Sequence, residues 1–341
     1  MSFQMRFPCG CRGVDVHTHI VPADLPAYIG AKVPRDWPSM AAAHACHRHV
    51  MIDGDVYRTV SDLCWDTGKR LADMDGQRVA VQAISPMPEL LSYWMSAHDA
   101  LPLLQYMNGV IAQMVDDSAG RMVGLGAVPL QDVDLAIREL ERLMSTPGFA
   151  GVEIGSNVNG VPVGAAQFDA FFEAAEALNA AVFVHALRPA GKDRLVGPAQ
   201  LLQALAYPTD VGLAAASVIT SNLLVRRPRL RIAFSHGGGT LGSLLPRLEQ
   251  ASRVFGPLRE TLQASPVEQA RKLYYDALVF DPATLGHLLS LFGDSQIMLG
   301  TDYPFAFREQ NPVGQIESMN LDGATIERLV RRNAQTFLAI S

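Results

Sequence analysis

The chain has 341 residues, 49% hydrophobic and 18% charged, with a formal net charge of −6. That composition supports a large buried core and excludes a disordered chain; 28 Lys plus Arg against 34 Asp plus Glu, with no basic run, argues against a nucleic-acid partner. No apolar stretch approaches the roughly 18 residues of a membrane span, and the opening MSFQMRFPCGCRG lacks the apolar core of a secretory leader, so the expected setting is cytoplasmic.

In chain order, VDVH (14–17) reads as the first strand. It is followed by strand-like runs at 79–84, 122–128, 150–154, 181–185, 230–235, 273–279 and 296–301. Helical spacing of apolar residues fills the intervals, most clearly at 132–144, 166–179 and 322–340. Eight strands alternating with helices predict a (β/α)8 TIM-type barrel of the α/β class, one domain over 1–341. Residues 23–65 break the pattern. There RHVMIDGDVYRTV (48–60) reads as strand, Asp-Gly turn, strand, a small β-rich insertion expected to fold over the barrel mouth. A second irregular stretch, 187–198, follows the fifth strand and reads as an active-site loop.

The four cysteines are Cys9, Cys11, Cys46 and Cys64. A Cys-x-Cys pair and the run HACHRH (His44, Cys46, His47, His49) invite a zinc reading, but the spacing fits no common structural zinc pattern. Solvated loops with incidental thiols are the plainer expectation.

Barrel enzymes place their chemistry at the C-terminal ends of strands. His17 and His19 stand two apart at the end of the first strand, on one face of it. His185 ends the fifth strand, His236 the sixth and Asp302 the eighth. Any one alone reads more readily as an ordinary polar strand end. Five at one rim point to a metal. Three imidazoles and a carboxylate suit Zn2+ with a position left for water. His236, before three glycines, need not be a ligand and suits a proton shuttle. The glycines let backbone or substrate approach closely.

VDVHTHIVP, FVH, SHGGG and LGTDYPF together resemble the amidohydrolase superfamily, in its decarboxylating branch. Further matching segments are VYRTVSDLCWD (56–66), SYW (92–94), GLGAVPLQ (124–131), GVEIGSNVN (151–159) and YYDALVFDP (274–282). The resemblance implies that His17, His19, His185 and Asp302 bind the metal, Zn2+ or alternatively Mn2+, without an organic cofactor. It implies His236 as acid/base, so His236 and Asp302 are the expected catalytic groups. It gives Arg58 to a substrate carboxylate and Phe305 to the pocket lining. Arg247 would reach across a homodimer into the neighbouring site. The reaction it implies is non-oxidative decarboxylation of a small carboxylated unsaturated acid.

Departures fall in one loop. The family usually follows its fifth-strand His with Pro-Trp-Asp; here the text is HALRPAGKDRLVGP. Arg188 then becomes a candidate third reader of carboxylate, or a reader of a different polar group. Glu153 stands where the family often has Gln, which raises a second metal as a lesser alternative. A hydrolase or hydratase acting on a lactone, amide or enol acid uses the same ligands, and a catalytically silent scaffold is the reading from another class. Metal removal separates the last from the others.

Overall fold

The computed structural model describes residues 5–8 and 10–341; Cys9 lies outside them. Strand β1 (Gly13–Ile20) is followed by β2 (Ser39–Ala42), β3 (His47–Ile52) and β4 (Asp55–Ser61), then β5 (Val79–Pro86), β6 (Met122–Ala127) and β7 (Phe149–Gly155). A short hairpin, β8 (Asn157–Val158) and β9 (Val161–Pro162), precedes β10 (Ala181–His185), β11 (Arg231–Phe234), β12 (Tyr274–Asp276) and β13 (Ile297–Met298).

Eight of these form one sheet in the order β1-β5-β6-β7-β10-β11-β12-β13, every neighbour parallel. The seam closes by backbone hydrogen bonds. Val16 N–H donates to Leu299 O at 3.0 Å, Asp302 N–H to His17 O at 2.9 Å and His19 N–H to Tyr303 O at 2.6 Å. The result is the expected (β/α)8 barrel, each expected strand present. Strands such as GVDVHTHI and AVFVH are buried along their whole length, as parallel strands sandwiched between core and helices must be.

Helix Val133–Met144 shows the local logic. Asp132 caps it by accepting Leu135 N–H, and Leu135, Ala136, Glu139, Leu140 and Leu143 form its buried stripe. The expected helix at 166–179 starts with a tighter turn, Ala166–Phe168, and continues as an α-helix over Asp169–Ala177. The one at 322–340 is split by a wider π turn at Arg328–Arg332. Its cause is tertiary: the Leu329 carbonyl accepts Leu299 N–H from the barrel at 3.0 Å. No helix among the described residues is long and apolar enough to cross a membrane.

Between β1 and the first barrel helix lies an antiparallel three-stranded sheet, β2-β3-β4. The Asp53-Gly54 turn joins β3 to β4 with φ of 56° and 82°, the paired positive angles of a tight hairpin turn. The third strand, Ser39–Ala42, was not foreseen from its sequence. Cys11, Cys46 and Cys64 are free thiols. Cys46 Sγ lies 3.3 Å from His47 Nδ1, but among the described residues these join no group of three metal-capable side chains.

Candidate metal and active site

His17 and His19 leave the end of β1 on one face and meet His185 from the end of β10. Their ring centroids form a near-equilateral triangle, 5.1, 5.0 and 5.0 Å on a side. Asp302, just past β13, brings Oδ1 to 3.0 Å from His19 Nε2 and 3.6 Å from His17 Nε2. One ligand atom from each of the four lies within 4.8 Å of all the others.

The outer nitrogen of each ring is already engaged. His17 Nδ1 lies 2.6 Å from Asp276 Oδ2, His19 Nδ1 3.1 Å from Pro86 O, and His185 Nδ1 2.8 Å from Ala186 O. A ring that donates from Nδ1 presents a bare Nε2 inward. All three Nε2 atoms and Asp302 Oδ1 are buried without a hydrogen-bond partner. Each such orphan costs roughly 1–3 kcal/mol. Four of them converging on one point, three imidazoles and a carboxylate, fit a divalent metal ion.

Electrostatics favour the ligating form at two of the three imidazoles. Burial lowers His19, and burial together with the neighbouring imidazoles puts His185 well below its ordinary value, keeping both in the neutral form that binds metal. For His17 burial pulls the same way, but the hydrogen bond and charge of Asp276 override it and raise the pKa to about 9.

Asp276 is the functional residue that the sequence reading missed. It ends β12 and takes four hydrogen bonds. Oδ2 receives His17 Nδ1 and His236 N–H, the latter at 3.0 Å; Oδ1 receives Gly237 N–H at 2.8 Å and Leu278 N–H at 3.1 Å. One carboxylate thus orients both a ligand and the turn that carries His236. The available signal was an acid at the seventh strand's end, in YYDA. Arg70, fully buried, braces β1 from outside by donating to His19 O and Thr18 Oγ1, each at 2.8 Å.

His236 sits beside the ligands, its ring centroid 5.4 Å from His17 and 5.1 Å from His185. Burial, reinforced by His17, pushes its pKa down to about 4. His236 and Asp302 both hold positive φ, 54° and 67°, a conformation that non-glycine residues adopt at a cost. Gly239 also has positive φ, and a Cβ there would lie 1.9 Å from Pro208 O. The close approach that the glycines permit is that of helix Tyr207–Thr220, which brings Tyr207 to the site.

The ligands open into a cavity of about 270 Å3 lined by Tyr57, Arg58, Glu89, Tyr207, His236 and Phe305, among others. Arg58 and Tyr57 arrive on β4 of the insertion. The Arg58 guanidinium lies 4.2 Å above the Phe305 ring, and that ring stacks on His19 at 5.3 Å. Six of the expected site residues besides His236 are therefore together: the four ligands, Arg58 and Phe305.

Two are elsewhere. Arg188 does not line this cavity; it lies 3.3 Å from the Trp94 ring centroid and donates from Nε to Glu89 Oε1 at 3.3 Å. Arg247 is exposed on helix Leu241–Val254, away from its own chain's cavity. Glu153 is fully buried behind His19, its Oε2 accepting Ser85 Oγ at 2.6 Å. It is not one of the four converging residues.

Fold and site together define a barrel enzyme with a metal centre of strand-end histidines and aspartate. The chain belongs to the amidohydrolase family, whose profile, described as Amidohydrolase, matches residues 14–340. A 2-amino-3-carboxymuconate-6-semialdehyde decarboxylase from Dictyostelium discoideum is 36% identical over 330 residues, covering 96% of this chain and 91% of that one. Among solved structures, 5-carboxyvanillate decarboxylase from Sphingomonas paucimobilis superposes with a TM-score of 0.74 at 25% identity, covering 81% of this chain and 84% of the other. A dihydroxybenzoic acid decarboxylase from Polaromonas sp. JS666, solved with bound manganese and an inhibitor, superposes with a TM-score of 0.75 at 21% identity, over 96% and 97% of the two chains.

Proposed function

We propose that this chain is a metal-dependent carboxy-lyase that decarboxylates a small unsaturated or aromatic acid without redox chemistry. Its most fitting substrate is 2-amino-3-carboxymuconate 6-semialdehyde or a close analogue. The relative from Dictyostelium, similar over nearly the whole chain, supports the substrate. The observation that carries the reading is the set of four orphaned ligand atoms beside a non-ligating His236, under Arg58, which makes no ion pair among the described residues.

His17, His19, His185 and Asp302 would hold the ion. Zn2+ suits the donors; Mn2+, bound by the Polaromonas relative, is the other candidate. Bound there, the ion supplies Lewis acidity toward a substrate or water oxygen. Arg58, its guanidinium fixed by Phe305, takes a substrate carboxylate with two parallel hydrogen bonds. His236 manages the proton. Its Nδ1 lies 3.2 Å from Ser235 Oγ, leaving Nε2 for exchange. Losing CO2 leaves an electron pair on the carbon, and a proton must replace the carboxylate. A neutral His236 takes a proton from solvent and delivers it to that carbon, returning to its neutral form.

The test is a stopped assay on metal-loaded protein with freshly generated substrate, following CO2 release and loss of substrate absorbance. Chelation and His236→Ala should each abolish turnover. No CO2 with the metal demonstrably bound rejects this substrate, and water addition in place of CO2 release rejects the reaction class.

We also infer that the active unit is a homodimer with Arg247 entering the partner's site. Arg247 makes no ion pair among the described residues, and Leu244, Val254 and Phe255 near it are 50%, 59% and 61% exposed. An apolar, cation-bearing helix face of this kind suits a second copy.

A further inference from the structure

Glu89 is an acid that the mechanism above does not use. It sits on the short turn Pro88–Leu91 after β5, 9% exposed, and lines the same cavity as Arg58 and His236. Two contacts hold it in place. Arg188 Nε reaches Oε1 at 3.3 Å from outside the cavity, its own guanidinium packed on Trp94. Tyr57 Oη reaches Oε2 at 3.4 Å, and Tyr207 Oη stands 3.4 Å from that phenol.

Both contacts to Glu89 are long, and an ionised carboxylate offers about four acceptor positions. Acceptor capacity therefore remains on a residue that lines the cavity. Burial holds the Glu89 carboxyl above its ordinary value, and Arg188 opposes that rise only in part. A buried carboxylate on a substrate wall repels a second carboxylate there and favours a donor. Arg188 thus acts through Glu89 as a positioning residue, in place of the direct carboxylate contact expected from sequence.

We propose that Glu89 is a specificity residue that reads an N–H or O–H donor, an amino group foremost, on an acid whose carboxylate Arg58 holds. The identification of that acid as a substrate rests on the decarboxylase reading, and an amino-bearing enol acid satisfies both contacts. The binding claim stands on the cavity alone.

Calorimetric titration of metal-loaded protein with matched benzoic acids tests it. The pairs are 2-, 3- and 4-aminobenzoate against the corresponding methylbenzoates, with the hydroxybenzoates as a second donor arm. For at least one ring position the donor acid should bind roughly 10- to 100-fold tighter than its methyl isostere, the scale of a hydrogen bond to a charged group. Glu89→Met should bring that pair within about threefold while leaving the methyl acid's affinity and the metal content unchanged. Tighter binding of the hydroxy than the amino acids would move the claim from amines to hydroxyls and overturn the amino preference. Equal or absent binding of donor and methyl acids by wild type overturns the proposal even where the variant fails to fold, and so does a preference that survives in Glu89→Met. Donor preference without CO2 release from these acids or from freshly generated 2-amino-3-carboxymuconate 6-semialdehyde leaves Glu89 as the reader and rejects the decarboxylase reading; CO2 release without donor preference does the reverse.

Discussion

Asp276→Asn isolates the orienting carboxylate while keeping its size. Asp276 accepts four hydrogen bonds, two on each oxygen. Asparagine keeps one oxygen and replaces the other with an amino group. If the amino group stands at the Oδ2 position, it faces His17 Nδ1–H and His236 N–H; at the Oδ1 position it faces Gly237 and Leu278 N–H. Either way two buried donors lose their acceptor. At roughly 1–3 kcal/mol for each unsatisfied group, the loss is about 2–6 kcal/mol before relaxation. The alternative open to His17 is to shift its proton to Nε2, which removes a ligand. Metal affinity should therefore fall roughly 10- to 100-fold, the usual effect of losing an outer partner of a ligating histidine. Competition against a chromophoric chelator reads the affinity, and thermal unfolding of the metal-free protein reads the stability. An affinity within twofold of wild type, with unchanged unfolding, would refute the argument that Asp276 sets the ligand's tautomer.

In the metal-free protein His17 titrates at about 9 against 6.5 for a free imidazole. Its contribution to stability is fully present below pH 6.5 and is lost as pH rises through 9. Metal must displace that proton, so apparent affinity should climb toward tenfold per pH unit between 6.5 and 9; a flat profile in chelator competition contradicts it. Burial raises Glu153 to about 8, so it is largely uncharged at pH 7 and Glu153→Gln should leave metal content at one ion per chain. Two ions in wild type falling to one in the variant would instead establish a second site. Arg247→Ala should lower activity without changing metal content, and wild-type activity per chain should fall on dilution. Sedimentation showing a fully active monomer would remove the shared-site arrangement.

What could be read in advance follows from where each role is written. The ligands were legible because a metal needs lone pairs at one point, and a parallel barrel collects that point from its strand ends. Two-residue alternation put His17 and His19 on one face, and the ends of apolar runs located His185 and Asp302. Roles that pass through another side chain leave no such trace. Asp276 never touches the metal position; it serves His17 and three backbone amides from a strand of three residues. Glu89 lies on a turn, where no periodicity reports which way a side chain faces, and its meaning depends on Arg188. Arg188 itself holds φ at 41°, a left-handed backbone that aims it at Trp94. No pattern of residue types predicts that angle, so the loop's cation read as a substrate contact until its partner was visible. The strand Ser39–Ala42 escaped for a related reason. SMAA has little strand preference of its own and pairs because β3 presents an open edge beside it. The same distinction sets where substrate choice resides. The four converging residues come from strand ends, whereas Glu89 and Arg188 lie outside the barrel strands, so on the proposed role of Glu89 that pair can change with little effect on the barrel.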